Sequence, residues 1–229
     1  GVSWVRASSM RLSLVSLCLA LPIAWAVHRR RVRWQTELDV LRGRIDQLRG
    51  RVRCAQVVKL GGSAATKKDS FEELRPDALQ ATALSLSRSS LASKTVLVHG
   101  AGSFGHFQAS KHAVSKGPSD DRFSWNGFAL TRSSVKRLNA LIVSALLGEG
   151  LPACGLSPFP RWKTRGRWTI VRDGIDEVQA ALSCGLLPVL HGDAVVDEAL
   201  GATILSGDML VVALCNALRP EVLCLPDDD

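Results

Sequence analysis

From residue 54 onward, short unbroken apolar runs alternate with longer segments whose apolar positions recur every three to four residues. "QVVKLGG" (56–62) and "KTVLVHGAG" (94–102) are too short and too uniformly apolar for amphipathic helices, and both end in glycine. They read as buried strands. Between them, "SFEELRPDALQATALSLSRSSLA" (70–92) has helical spacing. "TRSSVKRLNALIVSALLGEG" (131–150) predicts a helix capped by Thr131 and closed by Gly148 and Gly150. "LPACGLSP" gives a third strand, and "DGIDEVQAALSCG" a helix with Asp173 near its start and Gly185 past its end. "LLPVLHGD" reads as a buried strand, "SGDMLVVALCNALRP" as a helix and "EVLCLP" as a last strand. "RWKTRGRWTIV" (161–171) predicts a hairpin turning at Arg165-Gly166. Strand–helix alternation of this kind predicts an α/β sandwich around a largely parallel sheet. In such sheets ligands lie beyond the carboxyl ends of the strands. Three glycine segments fall there: "KLGGS", "HGAGSFGH" and "HGD".

Charge divides the chain more sharply than its net +8 suggests. Residues 1–53 hold eleven arginines, no lysine and three acidic residues, whereas the remainder balances eighteen basic against eighteen acidic residues. The basic surplus therefore belongs to the N-terminal segment, and residues 54–229, the main domain, carry no electrostatic case for nucleic acid. Within 1–53, the uncharged stretch Leu12–Val27 lies between Arg6/Arg11 and "HRRRVR". It is short for a membrane span and equally suits a secretory or transit signal. Leu38, Leu41, Ile45, Leu48 and Val52 alternate at three and four, a short heptad pattern interrupted by Gly43 and Gly50. A targeting signal, a membrane anchor with a short helical stalk, and a segment foreign to the domain all remain open, so the compartment is undetermined. The six cysteines show no C-x-x-C pair or metal-ligand spacing and mostly occupy apolar stretches, so buried reduced thiols are expected.

"GAGSFG" (100–105) has the form G-x-G-x-x-G after a strand, but a dinucleotide fold wants an acidic residue about twenty positions on, closing the next strand. Asp120 and Asp121 instead lie in the polar loop "SKGPSDDRF", and no G-x-x-x-x-G-K-[ST] exists. Two glycine loops, one of them flanked by Lys59, Lys67 and Lys68, point to two phosphate-bearing ligands facing each other. Phosphoryl transfer needs the moving charge neutralised and both partners held in line. The plainer alternative is solvated lysines beside a structural turn.

"KLGGSAATKK", "VHGAGSFGHFQAS", "GFALTR", "GLLPVLHGDAVVD" and "ATILSGD" occur in the order and spacing found in isopentenyl phosphate kinases, and residues 54–229 resemble that family, closest to its plant-like branch. The resemblance implies the αβα sandwich of the amino acid kinase superfamily and ATP-dependent phosphorylation of isopentenyl phosphate, with Mg2+ carried by ATP and no dedicated protein metal ligand. It also implies roles for residues. Lys59, Gly61, Gly62, Ser63, Ala101 and Asp227 fall on the ATP side; Gly100, Gly105, His106 and Gly207 fall on the acceptor side. Lys68 stabilises the transferring group, His106 donates to the acceptor phosphate, and Asp208 orients the lysines. Lys67 leaves a one-residue doubt in register, and a homodimer is compatible with the family. His99 and His191 read as structural, His28 and His112 as exposed, and Asp193 and Asp197 as turn-forming rather than metal-binding. Pro226-Asp227 stand where the family has Thr-Asp, and the sequence closes at Asp229, before the family's adenosine-binding elements. The chain as written is accordingly expected to be a poor kinase. Another amino acid kinase acting on a carboxylate or carbamate, and a non-catalytic prenyl-phosphate binder, are the competing readings; His106 speaks against the first of these.

Overall fold

The computed structural model describes residues 53–225. The chain divides into two units, Gly1–Arg51 and Val52–Asp229, and the described elements all belong to the second. The expectations placed on residues 1–52, including His28 and Cys18, and on Asp227 lie outside the described residues.

In chain order the elements are β1 (Gln56–Leu60), α1 (Gly62–Ala65), α2 (Pro76–Ser87), β2 (Thr95–His99), α3 (Gly102–Lys111) and α4 (Trp125–Gly148). They continue with β3 (Ala153–Leu156), β4 (Lys163–Arg165), β5 (Thr169–Arg172), α5 (Ile175–Ser183), β6 (Leu187–His191), β7 (Asp193–Asp197), β8 (Gly201–Leu205), α6 (Gly207–Leu218) and β9 (Val222–Cys224). A five-stranded sheet runs β3-β6-β2-β1-β9 with every pair parallel. A second sheet, β5-β4-β7-β8, is mixed.

Alternation along the central strands sorts side chains to two faces. Leu60, Leu97, Leu187 and Val189 pack with Leu79, Ala83 and Leu86 of α2 and Leu138, Ile142 and Leu146 of α4. Val57, Val96, Val98 and Leu190 point the other way, onto Val178 and Leu182 of α5 and Leu210, Val211 and Leu214 of α6. Helices thus cover both faces of a parallel sheet, as the alternation predicts.

Several local expectations are corrected. The long helix starts at Trp125, where Ser124 accepts from the Gly127 amide at 3.0 Å. Thr131 lies well inside it, buried, with its hydroxyl donating to the Gly127 carbonyl at 2.9 Å. The helix between β1 and β2 begins only at Pro76, whose ring suits a first helical position; the preceding residues bridge Thr66 to Leu74. The hairpin turns one residue later than expected, on the left-handed pair Gly166 and Arg167. β7 and β8 were not anticipated. Of the five described cysteines only Cys54 is buried, Cys184 is exposed and Cys154, Cys215 and Cys224 lie between, all five as free thiols. Burial pushes the Cys54 thiol up to about 11. His112 is half-buried rather than exposed: its ring lies where a Cβ on Gly127 would fall. Asp197 does form turns, accepting from the amides of Gly166, Arg167, Ala199 and Leu200 and from the Thr164 hydroxyl. Asp193 instead forms a buried ion pair with Arg132 at 3.2 Å.

Candidate active site

β1 and β2 are adjacent and in register, so Leu60 sits beside His99 and the two glycine loops leave the sheet side by side. They then touch. A Cβ on Gly62 would lie 2.6 Å from the Gly102 amide nitrogen, and one on Gly100 would lie 2.7 Å from that of Gly62. Gly102 adopts φ +50, with Thr66 Oγ1 at 2.4 Å from where its Cβ would be. The loops lack side chains first because each occupies the other's side-chain space. Thr66 stitches them together: its hydroxyl donates to the Gly62 carbonyl at 2.8 Å and accepts from the Ser103 amide at 2.9 Å.

Beyond this contact opens a cavity of about 460 Å³. Ten of the twelve predicted site residues line it: Lys59, Gly61, Gly62, Ser63, Lys68, Gly100, Ala101, His106, Gly207 and Asp208. Gly105 does not. Its missing Cβ makes room for Ala101 Cβ and Val135 Cγ2, 2.5 and 2.7 Å away, so its place is in packing α3 against α4. Asp227 is outside the described residues. Thr66, Gly102, Ser103, Gly192, Ile204 and Ser206 also line the cavity and escaped sequence reading. Gly192 carried a usable signal, because "HGD" repeats the strand-terminal His-Gly of "HGAG".

Lys59 Nζ meets Asp208 Oδ1 at 2.7 Å, with the lysine side chain 16% exposed and the aspartate 71%. Lys67 pairs with Glu73, whereas Lys68 lines the cavity. His106, on the first turns of α3, is exposed at the cavity wall. The N-termini of α3 and α6 both open here; Ser206 caps the second by accepting from the Met209 amide at 3.2 Å. Two lysines, a histidine, helix N-termini and a single carboxylate make a setting for anionic oxygens. Among the described residues no three His, Cys, Asp or Glu side chains group to hold a metal ion, and Asp208 is engaged by Lys59.

Behind the loops, the neighbouring strand ends place two histidines in register. His99 and His191 are buried and stacked, with ring centroids 5.6 Å apart. Burial, together with the neighbouring imidazole, lowers His99 to about 3; burial also lowers His191, against the opposing pull of Asp193. Burial raises Asp193, opposed by His191 and Arg132.

A parallel sheet covered by helices on both faces, with paired glycine loops at its strand ends and lysines beside them, has the architecture of the amino acid kinase class. The family model for the amino acid kinase family matches residues 55–229, and the chain belongs to that family. More particularly, it is similar to the isopentenyl phosphate kinase of Arabidopsis thaliana, 38% identical over 214 residues covering 77% of this chain and 64% of that protein. It is 37% identical to the isopentenyl phosphate kinase of Methanothermobacter thermautotrophicus, covering 75% and 66%. A solved isopentenyl phosphate kinase structure superposes with a TM-score of 0.68 at 35% identity, over 74% of this chain and 70% of that one. The chain spans just under two thirds of the length of these two curated relatives. Among the described residues no helix is long and apolar enough to cross a membrane.

Proposed function

We propose that the chain phosphorylates isopentenyl phosphate with ATP, giving isopentenyl diphosphate for isoprenoid synthesis, through residues 54–229, with residues 1–53 serving as a targeting or anchoring segment. One observation carries this reading: two mutually packed glycine loops open on one cavity whose lining includes Lys59, Lys68 and His106. His106 donates to the acceptor phosphate. The amides of Gly61, Gly62 and Ser63 hold the nucleotide phosphates, and Lys59, steadied by Asp208, neutralises them. Lys68 meets the group in flight. An acceptor phosphate oxygen attacks the γ-phosphorus, the bond to the β–γ bridging oxygen breaks, and ADP leaves; an ionised phosphate needs no general base. Mg2+ would supply charge neutralisation on the nucleotide, and with Asp208 held by Lys59 the residues present suit a metal that arrives with ATP.

The test is transfer of labelled γ-phosphate from ATP to isopentenyl phosphate by the full chain. His106→Ala should lower kcat/KM for isopentenyl phosphate about 10- to 150-fold, the loss of a charge-assisted hydrogen bond, while ATP binding persists. Binding of isopentenyl phosphate without transfer would replace the kinase reading by that of a prenyl-phosphate binder. Binding of neither ligand would refute both.

A further inference from the structure

His99 and His191 end adjacent parallel strands, each followed by a glycine that lines the cavity. Their contacts repeat. His99 Nδ1 lies 2.8 Å from the Gly100 carbonyl oxygen, and His191 Nδ1 lies 3.0 Å from that of Gly192. A carbonyl can only accept, so each Nδ1 carries the proton. In the neutral ring each Nε2 is then an acceptor, facing Asn139 Nδ2 at 3.1 Å for His99 and Ser157 Oγ at 3.1 Å for His191, a hydroxyl that also lies 3.4 Å from Asp193 Oδ2. Asn139 Nδ2 also donates to the Val189 carbonyl at 3.1 Å, which fixes its amide orientation. Around His191 stand Asp193 and Arg132, the latter reaching Ser157 Oγ at 3.3 Å and lying over the Phe159 ring.

We infer that His99 and His191 are a matched pair of positioning residues that aim the phosphate-binding backbone, an inference resting on the proposed phosphate site. A trans peptide is planar, with its carbonyl and N–H opposed. Drawing the Gly100 carbonyl back to a buried imidazole therefore turns the Ala101 N–H the opposite way, out from the strand end. Gly192, held by the second histidine, sits between two such amides: a Cβ there would lie 3.3 Å from the Gly207 nitrogen and 3.8 Å from that of Ala101. The pair sets the direction of one amide and the spacing of two, without touching the ligand. The neutral Nδ1–H form is essential, because a proton on Nε2 of His99 would face the Asn139 amide hydrogens.

Long-range 15N imidazole spectra of the whole 229-residue chain at neutral pH test this directly, with His99→Asn and His191→Asn supplying assignments. Both rings should be neutral with the proton on Nδ1; an Nε2–H tautomer or an imidazolium at either position overturns the inference. Calorimetric titration with isopentenyl phosphate supplies the functional arm. His99→Leu, which keeps volume but removes the donor, should bind about tenfold more weakly or worse, because a buried carbonyl loses its partner. His99→Asn, whose amide nitrogen stands close to where Nδ1 was, should recover binding to within about threefold. Undiminished binding by His99→Leu, or equal losses in both variants, refutes a positioning role. If His99→Leu does not fold, the tautomers and the Asn variant decide. Failure of the wild-type chain to bind isopentenyl phosphate would instead count against the proposed function, and the tautomer result stands or falls on its own.

Discussion

Replacing Gly62 by alanine tests the claim that two glycine loops are bare because they press on each other. The new Cβ would stand 2.6 Å from the Gly102 nitrogen and 2.8 Å from its Cα, and both are backbone atoms that no rotamer change can move. Restoring ordinary contact requires the loops to part by roughly 0.8 Å, the kind of overpacking that costs about 1–3 kcal/mol. For a domain of this size each kcal/mol shifts Tm by about 2–4 °C, so Gly62→Ala should melt about 2–12 °C lower. The same displacement moves the amides of Ser63 and Ala101 apart, and binding of isopentenyl phosphate and ATP should weaken about tenfold or more. Gly148 supplies the control. It ends α4 with ordinary helical backbone and nothing within 4 Å of an added Cβ. Gly148→Ala should gain up to about 1 kcal/mol from a less flexible unfolded chain and leave binding unchanged. Calorimetric melting of the full chain, with titration of both ligands, reads all of this. A Gly62→Ala protein within about 1 °C of wild type with intact binding would refute the contact argument.

Lys68→Met should lower kcat more than it raises KM, as expected for a charge met chiefly in the transition state, while Lys67→Met, which only releases Glu73, should do neither; steady-state kinetics in which the two exchange signatures would move the register by one. Asp208→Asn should leave Tm nearly unchanged, because an ion pair with so exposed a carboxylate contributes about 1 kcal/mol at most, yet reduce kcat/KM about 10- to 100-fold by removing the carboxylate charge that orients Lys59; a large stability loss with normal kinetics would reverse that assignment. Asp197 offers a pH test. Burial raises its carboxyl pKa, but five donors more than offset this and hold it at about 2. A depressed pKa contributes stability fully above the unfolded value near 3.9, lost as pH falls through about 2. Asp197→Asn should therefore be less stable at pH 7 by about 2–4 kcal/mol, and denaturant titrations should show the gap narrowing between about pH 4 and 2.

The parallel sheet and its covering helices were legible because uniform apolar runs such as "TVLVH" and "LPVLH" are what a doubly covered strand requires. The glycine loops were legible through their chemistry. Their mutual contact was not, since residues 62 and 100 become neighbours only when β1 and β2 pair. β7 and β8 were missed because "DAVVDEALGATIL" is an antiparallel hairpin whose turn is organised by one side chain, Asp197, rather than by a glycine-asparagine pair. Gly105 was misplaced for a related reason. A glycine in a phosphate loop and one at a helix crossing look alike until Val135, thirty residues on, is seen against it. Thr66 gave no signal, because a threonine after a one-turn helix is an ordinary residue.

The position of β9 has a consequence for synthesis. β1 lies inside the sheet, and its second neighbour, Val222–Cys224, is encoded roughly 160 residues after it. At about 5–20 residues per second, a ribosome needs about 10–30 s to deliver that strand. Once β2 has been made, Gln56–Val58 have that strand on one side and, until β9 arrives, nothing from their own sheet on the other. An unpaired apolar edge is a template for any other strand, including the same segment on a neighbouring nascent chain. Slower elongation or weaker chaperone cover over those seconds is therefore expected to lower the yield of folded protein without changing the stability of the finished domain.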